Sequence, residues 1–181
     1  MLISFRKFVG IKVLEYFLKY PTEETYLKEL AKKLQISPRS VKIYCDIFDN
    51  EGIIIREIKG NLHIFKTNND NFRVREMKRA YFINILAELN IEKIAEECAS
   101  IAIYGSYASG TYDEKSDIDI LIIGDEKNVK RELVVDIMNR LDKEIQLNVI
   151  PIIKWEKLKK ENDHFVKNII RNHVLIKGAE L

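Results

Sequence analysis

Two aspartates, Asp117 and Asp119, stand two residues apart at the start of the apolar, strand-forming run IDILIIG. Side chains alternate faces along a strand, so both carboxylates are predicted to point the same way. Like charges this close repel each other, and burial increases the repulsion. A divalent cation bound between them would remove the conflict. Oxygen-only ligands favour Mg²⁺, with Mn²⁺ as an alternative.

A glycine–serine bend, Gly105-Ser106, follows the apolar run SIAIY at residues 100–104 and precedes the acid pair. Glycine allows the backbone to approach a phosphate closely, and serine at the start of a helix offers a hydroxyl and exposed N–H groups to an anion. The bend and the acid pair together predict a site for a metal-bound triphosphate. The expected substrate is an NTP, with the metal stabilising charge as the α-phosphorus is attacked.

Aromatic residues near this loop give weaker signals. Tyr104, Tyr107 and Tyr112 surround the bend, and one of them could stack a base, although aromatic packing near a turn is an equal alternative. Trp155 begins an amphipathic helix and is predicted to lie in the core. A short helix is predicted over residues 91–98, ahead of the first buried strand.

The segment YGSYASGTYDEKSDIDILIIG, residues 104–124, resembles the signature of the nucleotidyltransferase superfamily related to DNA polymerase β, in particular its small prokaryotic members. The resemblance covers residues 95 to about 178 and implies an α+β or α/β fold with a short mixed sheet, closed by a helix and a strand. It implies that Asp117 and Asp119 hold the metal and that Gly105 and Ser106 hold the β- and γ-phosphates. The implied reaction moves an NMP from an NTP to a hydroxyl on a protein, an RNA or a small molecule.

Two departures from that superfamily's pattern leave the activity open. Its active members carry a third acid on a later strand, which takes the proton from the attacking hydroxyl. In the candidate strand, residues 144–153, Asn148 stands in that slot and is a candidate for nucleotide binding. Glu144, the nearest carboxylate, is either catalytic or a solvated strand-edge charge. Ser109 also stands where small members often have arginine. The alternative is a catalytically weak or inactive, antitoxin-like regulator that only senses nucleotide.

The first part of the chain has a different pattern, in the order helix, helix, turn, helix, hairpin. Helical spacing, a Ser37-Pro38 helix start and a Lys59-Gly60-Asn61 turn predict the elements. They are three helices, over residues 5–20, 24–34 and 38–50, and two strands, Ile53–Ile58 and Leu62–Lys66. Residues 27–67 in this order resemble a winged helix-turn-helix domain.

That resemblance implies double-stranded DNA as a partner, with the third helix in the major groove and the hairpin near the backbone. The candidate DNA contacts are polar or basic: Arg39, Ser40, Lys42, Lys59 and Asn61. The alternative is a solvated surface without a DNA partner. Ile43 and Ile47 depart from the pattern, because a DNA-facing helix normally exposes polar groups there. They are expected to cover the other half of the chain or a second subunit.

A long helix over residues 70–90 is predicted to connect the two parts. The expected domains are therefore residues 1–69, 70–90 and 91–181. Its predicted apolar stripe is Val74, Met77, Tyr81, Ile85 and Leu89. This stripe would form either a homodimer seam or packing within the chain. Charge differs between the two halves: residues 1–90 carry +5 and residues 91–181 carry −3, which favours modules with different partners.

Composition sets the outer limits. The chain of 181 residues is 46% hydrophobic and 32% charged, which excludes a wholly disordered polypeptide. Its apolar runs are too short for a membrane span. The two cysteines, Cys45 and Cys98, lie far apart in apolar patterns and are interpreted as buried free thiols. These features predict a cytoplasmic protein without a membrane partner.

Overall fold

The computed structural model describes residues 7–181 and divides into two compact units. Of the described residues, the first unit comprises 7–84 and Gly110–Glu114, and the second comprises Ile85–Ser109 and Lys115–Leu181. Within residues 7–181, no helix has both the length and the apolar character that crossing a membrane requires.

Within residues 7–67, the first unit contains three helices and a small sheet. In chain order its elements are α1 (Val9–Lys19), β1 (Thr25–Tyr26), α2 (Leu27–Leu34), α3 (Pro38–Asn50), β2 (Ile54–Lys59) and β3 (Leu62–Thr67). The three strands are antiparallel and lie in the order β1-β3-β2. The predicted helices and the hairpin are confirmed. β1 was not predicted, and residues 5–6 of the first predicted helix lie outside the described residues.

Local sequence explains the boundaries of these elements. The Ser37 hydroxyl accepts a hydrogen bond from the Ser40 N–H at 3.1 Å, and Pro38 occupies the first helical position of α3. Apolar side chains of all three helices and of the sheet then meet in one core: Val13, Tyr16, Phe17, Leu30, Ala31, Val41, Cys45, Ile54 and Phe65. The Cys45 thiol is free and fully buried, as predicted.

The next helix, α4 (Phe72–Glu88), confirms the predicted long helix but buries a different stripe. Of the predicted stripe, Val74 is buried, whereas Met77, Tyr81, Ile85 and Leu89 are half-buried. The buried residues follow one another at intervals of four: Val74, Lys78, Phe82 and Leu86. Lys78 is 1% exposed, and its ammonium donates to the Tyr112 carbonyl at 2.7 Å and to Asn69 Oδ1 at 3.0 Å. A buried lysine with two oxygen acceptors therefore takes the place of an apolar residue.

The second unit is built on a four-stranded mixed sheet. Its strands are β4 (Cys98–Tyr104), β5 (Ile118–Gly124), β6 (Ile145–Ile150) and β7 (His173–Gly178), in the order β6-β5-β4-β7. Its helices are α5 (Gly105–Ser109), α6 (Arg131–Leu141), α7 (Ile152–Lys160) and α8 (His164–Arg171). Only β5 and β6 pair in parallel, which requires a crossover connection, and α6 supplies it.

Both central strands of this sheet are deeply buried. On the face that carries the acid pair, Leu121 and Ile123 pack with Trp155, Val166 and Ile169 of α7 and α8. Trp155 therefore lies in the core, as predicted. The short mixed sheet and the closing helix and strand are confirmed as well.

Two local predictions in this unit are wrong. The predicted helix over residues 91–98 is reduced to a 3₁₀ turn, Ile91–Lys93. Cys98 begins β4 and is only half-buried, although its thiol is free. Only Cys98 of this stretch belongs to β4, while Ile91, Ile94 and Ala95 are buried in the turn and in the connection that precedes the strand.

Candidate functional site

The two aspartates lie at the entrance of β5. Asp119 is the second residue of the strand and is half-buried. Asp117 immediately precedes the first residue of the strand and is exposed. Alternation along the strand places both on the face that also carries Leu121. The acid pair therefore lies at the open end of a face whose deeper part is apolar core.

The glycine–serine bend touches the acid pair. Tyr104, the last residue of β4, is paired with Asp119 across the sheet, so Gly105 follows next to that carboxylate. Gly105 has φ +70°, and a Cβ added to it would overlap Asp119 Oδ2. Only glycine fits here, because both the backbone conformation and the space exclude a side chain. Ser106 comes next, half-buried in the first turn of α5.

Ser109, which stands where an arginine was expected, faces its own helix. Its hydroxyl lies 3.1 Å from the carbonyl oxygens of Gly105 and of Ser106 and can donate to either. This serine closes the single turn of α5 and brings no positive charge to the bend.

Strand β6 brings two neutral amides to the same face. Its parallel register places Gln146 opposite Asp119 and Asn148 one step deeper, opposite Leu121. Gln146 Nε2 lies 3.4 Å from Asp117 Oδ2 and donates to it weakly. Asn148 Nδ2 donates to the Tyr104 hydroxyl at 2.6 Å. The position at which a third acid was considered is therefore occupied by Asn148, whose amide donates to the Tyr104 hydroxyl.

Glu144 lies at the entrance of β6. Its carbonyl accepts a hydrogen bond from the Ile118 N–H at 2.9 Å, which joins the two strands beside the acid pair. Its side chain is exposed. Among residues 7–181, no contact joins its carboxylate to Asp117 or Asp119 in this structure.

The electrostatics of the site favour a cation. The pKa of Asp119 is raised, mainly by burial and secondly by the negative charge of Asp117. The pKa of Tyr104 is also raised, mainly by burial and secondly by the negative charge of Asp119. No lysine, arginine or histidine within residues 7–181 forms an ion pair with either aspartate. The same residues contain no cluster of three or more His, Cys, Asp or Glu side chains arranged around a metal. The acid pair is thus a two-carboxylate site whose repulsion is uncompensated.

The predicted DNA contacts all lie in the first unit, on α3 and on the β2–β3 hairpin. Arg39 is exposed in the first turn of α3, and Asn61 is exposed in the hairpin turn. Lys42 is paired with Asp46 at 2.6 Å, and Lys59 is paired with Glu24 at 3.1 Å. Two of the predicted phosphate contacts therefore already have carboxylate partners.

The rest of the α3 surface is mixed in character. Ser40 bonds to Ser37 through both its N–H and its hydroxyl. Ile43 and Ile47 are 50% and 45% exposed, on the same face of the helix as Arg39. The predicted departure from a polar DNA-facing helix is present, and within the described chain these two side chains remain largely uncovered.

Two residues of the site were not singled out from the sequence. Alternation along the strand places Gln146 on the same face as Asn148, but its position opposite Asp119 depends on the strand register. Phe165, at the start of α8, contacts the Tyr104 ring edge-on, with ring centroids 5.9 Å apart. Tyr107 and Tyr112, by contrast, are buried and donate to backbone carbonyls. The Asp163 helix cap just before Phe165 was the available signal, since it fixes where α8 begins.

The described site therefore combines two carboxylates at the start of a central strand, a glycine-dependent bend against one of them and a small mixed sheet in an α+β domain. A family described as "Nucleotidyltransferase domain" matches residues 81–176, which is more than half of the chain. This chain belongs to the nucleotidyltransferase domain family.

Two relatives come from Methanocaldococcus jannaschii. The protein named as protein adenylyltransferase MJ0604 is 36% identical over 91 residues, covering 49% of this chain and 84% of its own length. The protein named as protein adenylyltransferase MJ1547 is 36% identical over 81 residues, covering 45% of this chain and only 57% of its own length. The chain therefore spans little more than half of the second relative.

Solved structures give a weaker likeness. A toxin–antitoxin crystal structure with AMP-PNP shares 21% identity at a TM-score of 0.38, covering 54% of this chain and 74% of that one. A nucleotidyltransferase from Sulfolobus solfataricus shares 24% identity at a TM-score of 0.29, covering 62% and 88%. Because these TM-scores are below 0.5, they support no argument about function.

Proposed function

We propose that this chain binds an NTP together with Mg²⁺ and transfers the NMP group to a hydroxyl acceptor. The observation that carries the proposal is the contact between Gly105 and the Asp119 carboxylate. This contact places a backbone segment that phosphates can approach next to the acid pair. Within residues 7–181, no lysine, arginine or histidine forms an ion pair with those two carboxylates. Neither half alone would indicate this chemistry.

The donor set fits a hard divalent cation. Asp117 and Asp119 offer only oxygen ligands, which suit Mg²⁺ and also Mn²⁺. Gln146 donates to Asp117 Oδ2, which leaves the second oxygen of that carboxylate available. When bound, the metal would neutralise charge on the phosphates as the α-phosphorus is attacked.

The chain's own residues would divide the remaining work. The acceptor oxygen forms a bond to the α-phosphorus, the bond to the bridging oxygen breaks, and pyrophosphate leaves. Gly105 allows the β- and γ-phosphates to approach the backbone, and the Ser106 hydroxyl donates to a phosphate oxygen. We assign the proton of the acceptor hydroxyl to Glu144, whose carbonyl joins the start of β6 to the start of β5 beside the acid pair.

The relatives narrow the choice of substrates. Both are named protein adenylyltransferases, which supports ATP as the donor and a protein hydroxyl as the acceptor. An RNA or a small molecule as the acceptor would be a different result of the same assay.

Label transfer tests the proposal directly. The full chain is incubated with a cell extract, Mg²⁺ and each of ATP, CTP, GTP and UTP labelled at the α-phosphate. We expect label from ATP on a protein band, and its loss in Asp119→Asn. Asp125→Asn, at the other end of β5, is the control and should transfer normally. Absence of label with all four nucleotides in Mg²⁺ and in Mn²⁺ would contradict the proposal.

We further propose that residues 7–67 form a winged helix-turn-helix that binds double-stranded DNA. The support is the order of α1, α2 and α3 followed by the β2–β3 hairpin, with Arg39 exposed at the start of α3. A gel shift on the DNA upstream of the protein's own gene should show salt-sensitive binding that Arg39→Ala weakens. Binding that is equal in parent and variant at every salt concentration would argue for a solvated surface.

A specific observation favours a second candidate, a catalytically weak, antitoxin-like regulator that senses nucleotide. Only two carboxylates form the described site, and Asn148, an amide that cannot accept a proton, is held by Tyr104. Calorimetry shows whether Mg²⁺ and ATP bind together, which both candidates require. The label-transfer assay then separates them, because a transferase labels an acceptor whereas a sensor binds the nucleotide and transfers no label.

A further inference from the structure

A partly exposed aromatic ring packs against Tyr104, whose partner across the sheet is Asp119. Phe165 is in the first turn of α8 and is 40% exposed, while Val166 and Ile169 of the same helix are buried in the core. Asp163 caps the helix by accepting from the N–H groups of Phe165 and Val166 at 2.9 and 3.1 Å. The cap fixes the backbone of Phe165, so its ring is presented from a defined position.

Phe165 is linked to the site through one side chain. Its ring meets the Tyr104 ring at 87°, with the centroids 5.9 Å apart. Tyr104 is the register partner of Asp119, and its hydroxyl is held by Asn148. The backbone of Tyr104 is thus held by the sheet, and its hydroxyl is held by Asn148. The Tyr104 ring links Phe165 to Asp119, one of the two carboxylates proposed to hold the metal.

The exposure of Phe165 is not required by the core. The cluster under α7 and α8 is complete without this ring, and the contact with Tyr104 covers only part of it. An exposed phenylalanine loses the free energy that burial would supply. Beside a polar, phosphate-binding site, a ligand with an aromatic face of its own would recover that free energy.

We propose that Phe165, supported from behind by Tyr104, is the platform on which the nucleobase of the bound NTP stacks. This inference rests on the proposed function, because the triphosphate at Gly105 and Asp119 is what brings the base to α8. Stacking is tolerant of base identity, since every base presents a π-face. Phe165 therefore supplies affinity for nucleosides in general, and the choice among bases must come from other groups.

Two ligands that differ by the nucleoside alone test the inference. The full chain is titrated in a calorimeter with ATP and with inorganic tripolyphosphate, each with Mg²⁺. Stacking predicts that Phe165→Ala weakens ATP binding by about tenfold and leaves tripolyphosphate binding unchanged. Phe165→Tyr should bind ATP like the parent. Phe165→Leu, which keeps apolar bulk without a π-system, should lose most of the same affinity.

Matched variants separate the possible failures. Ile170→Ala removes another partly exposed apolar group of α8 and should bind both ligands normally. If Phe165→Ala and Phe165→Leu bind ATP as well as the parent does, stacking on Phe165 is refuted while the phosphate site stands. The same refutation follows if these variants impair only transfer to an acceptor. If neither ligand binds the parent, the proposed function itself fails, and this inference fails with it.

Discussion

The charged surface around α3 in the first unit and the acid pair in the second unit differ in how their charges are matched. On the surface of the first unit, cations are matched by carboxylates: Lys42 by Asp46, Lys59 by Glu24, and Arg56 by Asp46 and Asp49. In the second unit, Asp117 and Asp119 lie on one face with an amide, Gln146, as the neighbouring partner. One surface satisfies its charges internally, and the other leaves two like charges together.

This difference decides at which of the two surfaces binding of a charged ligand would be more favourable in free energy. A paired lysine must give up its carboxylate before it can bind a phosphate, so the exchange yields little free energy. Two like carboxylates without a cation carry a cost that a bound metal removes. The acid pair is therefore the stronger indication of function.

The largest expected effect comes from filling the space between the bend and the acid pair. Gly105→Ala should destabilise the protein by about 2–4 kcal/mol, because the new Cβ meets a positive φ and overlaps Asp119 Oδ2. Gly60→Ala is the matched control in the first unit. It also has positive φ but no atom within 4 Å of the added Cβ, and should cost only about 1 kcal/mol.

Urea unfolding measures both variants. Adding Asp119→Ala to Gly105→Ala should recover part of the lost stability, because the overlap is then relieved. Equal losses for Gly105→Ala and Gly60→Ala would mean that the bend and the acid pair are not in contact.

The buried cation of the first unit predicts a pH dependence. Burial lowers the pKa of Lys78 to about 8, against the partly compensating charges of Glu114 and Asp113. The unfolded chain then binds more protons than the folded chain between about pH 8 and 10.5, so this lysine makes stability rise with pH across that window. The rise attributable to Lys78 between pH 7 and 9.5 is about 2 kcal/mol.

The check is urea unfolding of the parent and of Lys78→Met at both pH values. Other lysines and tyrosines titrate in the same range, so the difference between the two proteins is the informative quantity. If Lys78→Met shows the same pH dependence as the parent, the ammonium is not desolvated in solution.

Lys78 also shows where sequence reasoning stops. Val74 belongs to the predicted apolar stripe of α4, but the stripe does not include the lysine four residues later, because most lysines are exposed. Its acceptors, Asn69 and the Tyr112 carbonyl, come from loops that no helical periodicity describes. Short-range spacing cannot show that a distant loop delivers an oxygen to the buried side of a helix.

The features of the site also fall into two groups, those that depend on neighbouring residues in the sequence and those that depend on tertiary packing. The alternation of Asp117 and Asp119 and the glycine at 105 follow from a strand and a bend, and these were predictable. The placement of Gln146 opposite Asp119 depends on the β5–β6 register, which two hydrophobic strands can adopt in more than one way. Phe165 depends on how α8 docks on the sheet, which is a tertiary property.

A smaller effect tests the repulsion within the acid pair. Asp119→Asn removes one of two like charges from a half-buried position, so it should stabilise the metal-free protein by about 1 kcal/mol at pH 7. Asp125→Asn is the control in the same unit. Asp125 is exposed and 3.8 Å from Lys127, so stability should change little.

Thermal unfolding with and without Mg²⁺ completes this test. The metal should raise the melting temperature of the parent and leave that of Asp119→Asn unchanged. An Asp119→Asn variant that is less stable than the parent without metal would show that the two carboxylates do not repel each other.

The smallest effect concerns the paired surface of α3. Asp46→Asn releases Lys42 while Arg56 keeps Asp49 as a partner, so one more cation becomes available to a phosphate. If α3 faces DNA, affinity should rise a few-fold, and the slope of log K against log salt should steepen by about 1.

Asp136→Asn is the matched control, because it breaks another pair of i, i+4 spacing, with Arg140 in the second unit. Equal salt slopes for the parent and both variants would place DNA, if it binds, on a surface other than α3. The exposed Ile43 and Ile47 would then favour a protein partner for this helix, since apolar side chains gain free energy from burial rather than from phosphate contact.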